Sequence, residues 1–209
     1  YCWSEERGAY VDTVRDEMAY QHYLRWARIR EEATPEPRED FFARTRISEP
    51  TNTLILQCDC ATAERADKIL PLVEAAQTGK FVGSDPARAR KWPAEQVVPV
   101  GSPWFLFFTL ETLIAQGQVE NAIGIVREQW GRMLDKGATT FWETFPGFNG
   151  PHWSRSLCHG WSAAPAYFLS TQVLGVQPAE PGYARVRIAP HRCGLRWADG
   201  SVPTPHGDV

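Results

Sequence analysis

SPWFLFFTLETLIAQGQVENAIGIVREQWGRMLDKG, residues 102–137, is the stretch that decides the fold. Ser102 followed by Pro103 is a helix-start signal: a side-chain acceptor for free N–H groups, then a residue whose missing N–H costs nothing in a first turn. Phe105 to Ile114 are apolar on nearly all sides, as in a buried helix. Val119, Ala122, Ile123, Val126, Trp130, Met133 and Leu134 then recur at three-and-four spacing, which predicts an amphipathic helix over 118–135 stopped by Gly137. The link Gln116-Gly117-Gln118 is short, so the two helices form an antiparallel hairpin.

Working outward, Thr62 caps another helix with Ala66, Ile69, Leu70, Val73 and Ala76 on one face, and Pro71 inside it should kink or shorten it. Residues 52–60 are its expected inner partner. Residues 78–101 carry Gly79, Gly83, Pro86, Pro93 and Pro99 and read as a long loop. Residues 30–46 are charged, contain Pro35 and Pro37, and read as a solvated connection. A last helix is expected over 163–174, with Pro165 tolerated in its first turn and Gly175 closing it. The pattern then changes. Residues 183–188 alternate apolar and basic residues, with Ala184, Val186 and Ile188 on one side, as in a half-buried strand. Residues 195–198 read as another strand, turning at Asp199-Gly200. Two strands cannot bury a shared face without further cover.

Composition bounds the function. The 209 residues are 43% apolar and 22% charged, ordinary for a globular chain. A formal charge of −3 offers no broad cationic field, and the one basic cluster, Arg88, Arg90 and Lys91, is small, which argues against nucleic acid. The longest apolar run, Trp104 to Phe108, is far too short to span a bilayer, so no membrane is expected. Five scattered cysteines without a CxxC pair support neither a disulfide framework nor a zinc site; reduced, structural thiols lean toward the cytoplasm. No nucleotide loop, zinc helix or serine elbow is present, and neither metal nor cofactor is expected.

Chemistry concentrates in GATTFWETFPGFNGPHWSRSLCHGWSAAP, residues 137–165. One carboxylate, Glu143, stands there among Trp142, Phe145, Phe148, Trp153, His159 and Trp161. Aromatic faces stack on the C–H face of a sugar, an imidazole takes hydroxyls and a carboxylate moves protons. On spacing alone a second reading stands beside this one: a helix-end turn packed by aromatics, with Glu143 solvated. Cys158 adjoins His159, but nucleophile pairs meet in space from distant positions, so this neighbour pair argues against a Cys/His site.

GATTFWE (137–143), SRSLCHGWSAAPAYFL (154–169) and LGVQPAEPGYARVRIAPHRCGLRWADGSVPTPHGDV (174–209), in that order, resemble the bacterial and fungal alpha-L-rhamnosidases of glycoside hydrolase family 78. SEERGAYVD (4–12), ISEPTNTLIL (47–56) and SPWFLFFTLETLIAQG (102–117) fit the same family. The resemblance implies a mainly α fold: part of an (alpha/alpha)6 barrel of the six-hairpin type, then the first strands of a beta-sandwich. Residues 1–177 would be the C-terminal portion of the catalytic barrel and 178–209 the opening of the C-terminal beta domain.

The implied reaction is hydrolysis of an alpha-L-rhamnoside with inversion. It needs an acid for the departing oxygen and a base for water, roughly 6.5–9.5 Å apart. Glu143 matches the family's general base and His159 its sugar-contacting histidine. Trp142 and Trp104 are candidate pocket walls, and Trp161, at the start of the final helix, is assigned to packing. The family's general acid lies in an acidic motif ahead of the region beginning at Tyr1, and nothing here matches it. The expected partners are therefore a rhamnose-containing glycoside or oligosaccharide and the remainder of the parent polypeptide. The alternative is a non-catalytic carbohydrate-binding remnant lacking the acid.

Overall fold

The computed structural model describes residues 2–12, 17–29, 34–43, 47–76, 97–98, 102–146 and 156–209. Most of the expected loop at 78–101 lies outside them, as do Phe148 and Trp153. The chain divides into two compact units, Tyr1–Val100 and Gly101–Val209.

In the first unit, β1 (Trp3–Ser4) pairs antiparallel with β2 (Ala9–Tyr10). Helices α1 (Glu17–Ile29), α2 (Arg38–Ala43), α3 (Glu49–Gln57) and α4 (Ala63–Ala76) follow. Ser48 caps α3: its hydroxyl accepts from the Thr51 N–H at 3.4 Å, and Pro50 sits in the first turn. The helix therefore begins earlier than the expected 52. Asn52, buried on α3, holds the β-hairpin at both ends of one peptide edge. Its Oδ1 accepts from the Tyr10 N–H at 3.0 Å and its Nδ2 donates to the Tyr10 carbonyl at 3.0 Å. α4 packs on α3 through its buried Ile69 and Val73.

Pro71 lies inside α4 without shortening it, and the helix continues to Ala76. The single bond that proline removes, to the Asp67 carbonyl, falls on the exposed side of the helix, where water can replace it. The connection at 30–46 is not wholly irregular, because residues 38–43 form α2. Phe41 stacks on Tyr23 at 5.3 Å and lies 5.2 Å from Tyr20, both on α1, so aromatic contact orders a segment whose composition reads as solvated. Helix α1 had its own signal in Tyr20, Tyr23, Leu24 and Ala27, at three-and-four spacing.

The second unit is built on the hairpin of α5 (Pro103–Ala115) and α6 (Val119–Asp135). The Ser102 hydroxyl accepts from the Trp104 N–H at 3.2 Å, the expected cap. Both helices end in the same glycine motif. Gly117 (φ 79°) and Gly137 (φ 82°) adopt left-handed backbone, and the N–H groups of Gln118 and Ala138 reach back to Leu113 and Met133 at 2.8 and 3.0 Å. Leu106, Leu110 and Leu113 face Ala122, Ile123, Val126, Trp130 and Met133 in the unit's buried interior, and Trp130 meets Phe145 edge-on at 5.2 Å. α5 is not buried all round, as its composition suggested. It buries the stripe through Leu106 and Leu110, while Phe105, Phe107 and Phe108 remain half-buried and Trp104 is exposed.

The last helix also departs from expectation. α7 (Ala164–Phe168) passes into a π-helical segment, Leu169–Val173, closed by the Leu174 N–H on the Leu169 carbonyl at 2.9 Å. Hydroxyls of Ser170 and Thr171 donate to the Ala166 and Tyr167 carbonyls, each at 2.9 Å, and satisfy groups the widened turns release. Strand β3 (Val176–Pro178) then pairs antiparallel with β4 (Val186–Ile188). β4 is shorter than the expected 183–188 because residues 181–183 form a 3₁₀ turn, and Ile188 is 64% exposed, on an uncovered face. No strand forms at 195–198. Cys193 and Gly194 are both left-handed and fold the chain into a turn there, and the hairpin lies further on, between β5 (Pro203–Thr204) and β6 (Gly207–Asp208). All five cysteines are free thiols; burial pushes the pKa of Cys193 up, which keeps it inert.

Candidate active site

Gly137 ends α6 and releases a strap, residues 138–146, that returns against α6 through Phe145 on Trp130. Phe145 and Trp142 anchor this strap in the core, and an Arg132 guanidinium N–H donates to the Pro146 carbonyl at 3.0 Å. Residues 156–159 run beside it. The Glu143 N–H donates to the Ser156 carbonyl at 2.9 Å and the His159 N–H to the Phe141 carbonyl at 2.8 Å, with the Thr140 hydroxyl donating to the Leu157 carbonyl between them. These bonds bring Glu143 and His159 together. Glu143 Oε2 lies 3.9 Å from His159 Nδ1, with the two side chains 19% and 30% exposed. Both are sheltered, yet open enough to meet a ligand.

Beyond His159 the chain makes a 3₁₀ turn, Gly160–Ser162, before α7. The Trp130 indole N–H donates to the Ser162 carbonyl at 2.9 Å and pins that turn to α6. The Trp161 ring is thereby placed 4.2 Å from His159 and 6.0 Å from Trp104. The structure thus gathers three of the four expected site residues, Glu143, His159 and Trp104. Trp142 points elsewhere: at 6% exposure it is core, buried with its strap neighbours Thr144 and Phe145, while Glu143 stays partly open. Trp161, assigned to packing, packs its ring against His159 and Trp104 and is half-exposed. Its only sequence signal was adjacency to that histidine. Among the described residues no group of three His, Cys, Asp or Glu side chains is placed to hold a metal ion, and no helix is long and apolar enough to cross a membrane.

A strap carrying a carboxylate is set against a helical hairpin and followed by small antiparallel strands. Residues 59–173, more than half of the chain, match the family described as bacterial alpha-L-rhamnosidase 6 hairpin glycosidase domain, and residues 175–209 match the bacterial alpha-L-rhamnosidase C-terminal domain. The chain belongs to this alpha-L-rhamnosidase family. It is similar to an alpha-L-rhamnosidase of Alteromonas sp. (strain LOR), 36% identical over 87 residues, and to one of Formosa agariphila, 32% identical over 87 residues. Each match covers 38% of this chain and 9% of the relative. The crystal structure of a GH78 family rhamnosidase of Bacillus sp. GL1 aligns with a TM-score of 0.68 at 31% identity, covering 99% of this chain and 18% of that one. The chain therefore spans a small fraction of the length of the relatives it matches.

Proposed function

We propose that the protein carrying this chain is an inverting glycoside hydrolase that releases terminal alpha-L-rhamnose, with Glu143 as general base. The observation that carries the reading is the sheltered Glu143 carboxylate 3.9 Å from His159, beside the exposed rings of Trp161 and Trp104. Glu143 takes a proton from water as its oxygen attacks the anomeric carbon, from the face opposite the departing group. A second carboxyl, outside residues 1–209, protonates the glycosidic oxygen as that bond breaks. Water is thus divided between the two products and the anomeric configuration inverts. His159 holds sugar hydroxyls, and its ring on Trp161 fixes its direction. In this reading residues 1–177 are the C-terminal portion of the catalytic barrel and 178–209 open the next domain.

The test is proton NMR of the intact protein acting on an aryl alpha-L-rhamnoside. The beta anomer of rhamnose is expected first, with the alpha anomer growing in by mutarotation. Alpha anomer first would replace inversion by retention, and no release would favour a non-catalytic sugar-binding role. His159→Ala is expected to weaken binding of free L-rhamnose by roughly tenfold or more in calorimetry, because sugar hydroxyls are left unpaired. Unchanged affinity would assign His159 to structure.

A further inference from the structure

A cavity of about 690 Å³ lies apart from Glu143, where the Gly117 turn between α5 and α6 meets the Leu169–Val173 segment and the β3–β4 hairpin. Trp104, beside the candidate active site, opens α5, and this cavity takes in the turn that closes it. The 13 residues of α5 separate the two places by roughly 20 Å of helix. One wall comes from the part of the chain that matches the six-hairpin domain and the other from the part that matches the C-terminal domain. Ligand sites form readily at such junctions.

The lining is polar and holds no Trp, Tyr or Phe. It brings the amide residues Gln118, Asn121, Gln172 and Gln177 together with Arg187 and His191. Gln172 is only 8% exposed, and its carboxamide makes one hydrogen bond, a long donation to the Thr171 hydroxyl at 3.4 Å. Its oxygen accepts from no group among the described residues, although a buried amide oxygen is costly to leave unmet. Gln177 Nε2 donates to the Thr171 carbonyl at 2.7 Å, which holds that amide in place with its own oxygen still open. Arg187 stands opposite Gln177 in the β3–β4 register, so the two share a face of the hairpin. The side chains of Asn121 and Arg187 make no hydrogen bond or ion pair among the described residues. An anion would meet Arg187, but also the Glu120 carboxylate and two amide oxygens, which repel it. A hydroxyl both donates and accepts, so it satisfies the amide oxygens and the amide and guanidinium N–H groups alike.

We propose that this cavity is a second, non-catalytic saccharide-binding site, in which Gln172, Gln177, Asn121 and Arg187 take the hydroxyls of a neutral sugar ring. The proposal does not rest on Glu143 or on the hydrolase reading.

The test is calorimetry of the intact protein with methyl beta-D-glucopyranoside and methyl beta-D-galactopyranoside, neither of them an alpha-L-rhamnoside. At least one is expected to bind with a dissociation constant of about 1 mM, modest because no aromatic ring stacks on the sugar. The double variant Asn121→Ala/Arg187→Ala should weaken that binding about tenfold or more, since ligand hydroxyls lose their partners. Its thermal midpoint and its kcat/KM on an aryl alpha-L-rhamnoside should stay unchanged, and Glu143→Gln should bind the probe as well as the unsubstituted protein does. Binding of neither probe, binding that survives the double variant, or binding lost in Glu143→Gln would overturn the site. Tighter binding of D-glucuronate than of either neutral probe would overturn the choice of ligand. Should the double variant not fold, crystals of the intact protein soaked in the tighter probe decide: a sugar ring against Gln172 and Gln177 supports the proposal, and an empty cavity overturns it. A protein that cleaves no rhamnoside yet binds the probe here would refute the hydrolase reading alone.

Discussion

Replacing Glu143 by glutamine in the intact protein is expected to lower turnover of an aryl alpha-L-rhamnoside by about 10²–10⁴-fold, the span a positioned general base contributes. The fold should survive. Glutamine has nearly the same shape, the side chain is partly open, and the backbone N–H of residue 143 keeps its bond to the Ser156 carbonyl at 2.9 Å. An amide accepts a hydrogen bond from water but cannot take its proton as the new bond forms. The loss therefore falls on kcat, with KM little changed, as expected for an interaction made only in the transition state. Steady-state kinetics on the purified variant measures both. Near-normal kcat would dismiss Glu143 as the base and leave it as a sugar contact.

The largest structural effect is expected from Gly175→Ala. Gly175 is left-handed (φ 74°), and an added Cβ would stand 2.2 Å from the Ala189 carbonyl carbon and 2.3 Å from the Pro190 nitrogen. These are backbone atoms of the segment paired with β3, held by the Ala189 N–H on the Gly175 carbonyl at 2.9 Å, and they cannot swing aside like a side chain. The two segments must separate, losing that bond and straining the His191 N–H contact to the Gln172 carbonyl, also 2.9 Å. A local destabilisation of about 3 kcal/mol or more is expected, in the range reserved for steric clash at a special backbone position. Gly117→Ala is the control: its φ is 79° but nothing lies within 4 Å of the added atom, so only the conformational cost of about 1–2 kcal/mol applies. Hydrogen exchange at the Ala189 and His191 amides should rise far more in the first variant than in the second. Equal protection in both would mean that the close approach relaxes freely.

The hairpin of α5 and α6 was legible from residues 102–137 because its signals are local: a capping serine before proline, three-and-four apolar spacing, and glycines where left-handed backbone must end each helix. The same holds for Thr62 ahead of α4, whose hydroxyl accepts from the Arg65 N–H at 3.4 Å. Glu143 and His159 could be named from composition and resemblance. That they face each other could not, since the backbone bonds that join 141–143 to 156–159 leave no mark on either segment.

Elements that rest on non-local contacts escaped. α2 exists because Phe41 finds Tyr20 and Tyr23 on another helix. β3 was not anticipated, and the strand expected at 195–198 gave way to a left-handed turn at 193–194, with the hairpin formed by Pro203–Thr204 and Gly207–Asp208. The tryptophans show the division most sharply. Trp142 and Trp161 are equally apolar and stand in the same aromatic-rich stretch, yet one is core and the other half-open beside His159. Residue type and spacing by themselves determined the α5–α6 hairpin with its glycine stops and the body of α4, because propensity, capping and periodicity act within a few residues of the chain. Only the tertiary structure decided which ring is buried, which is left half-exposed, and which imidazole the carboxylate meets, because burial and distance depend on what the rest of the chain brings alongside.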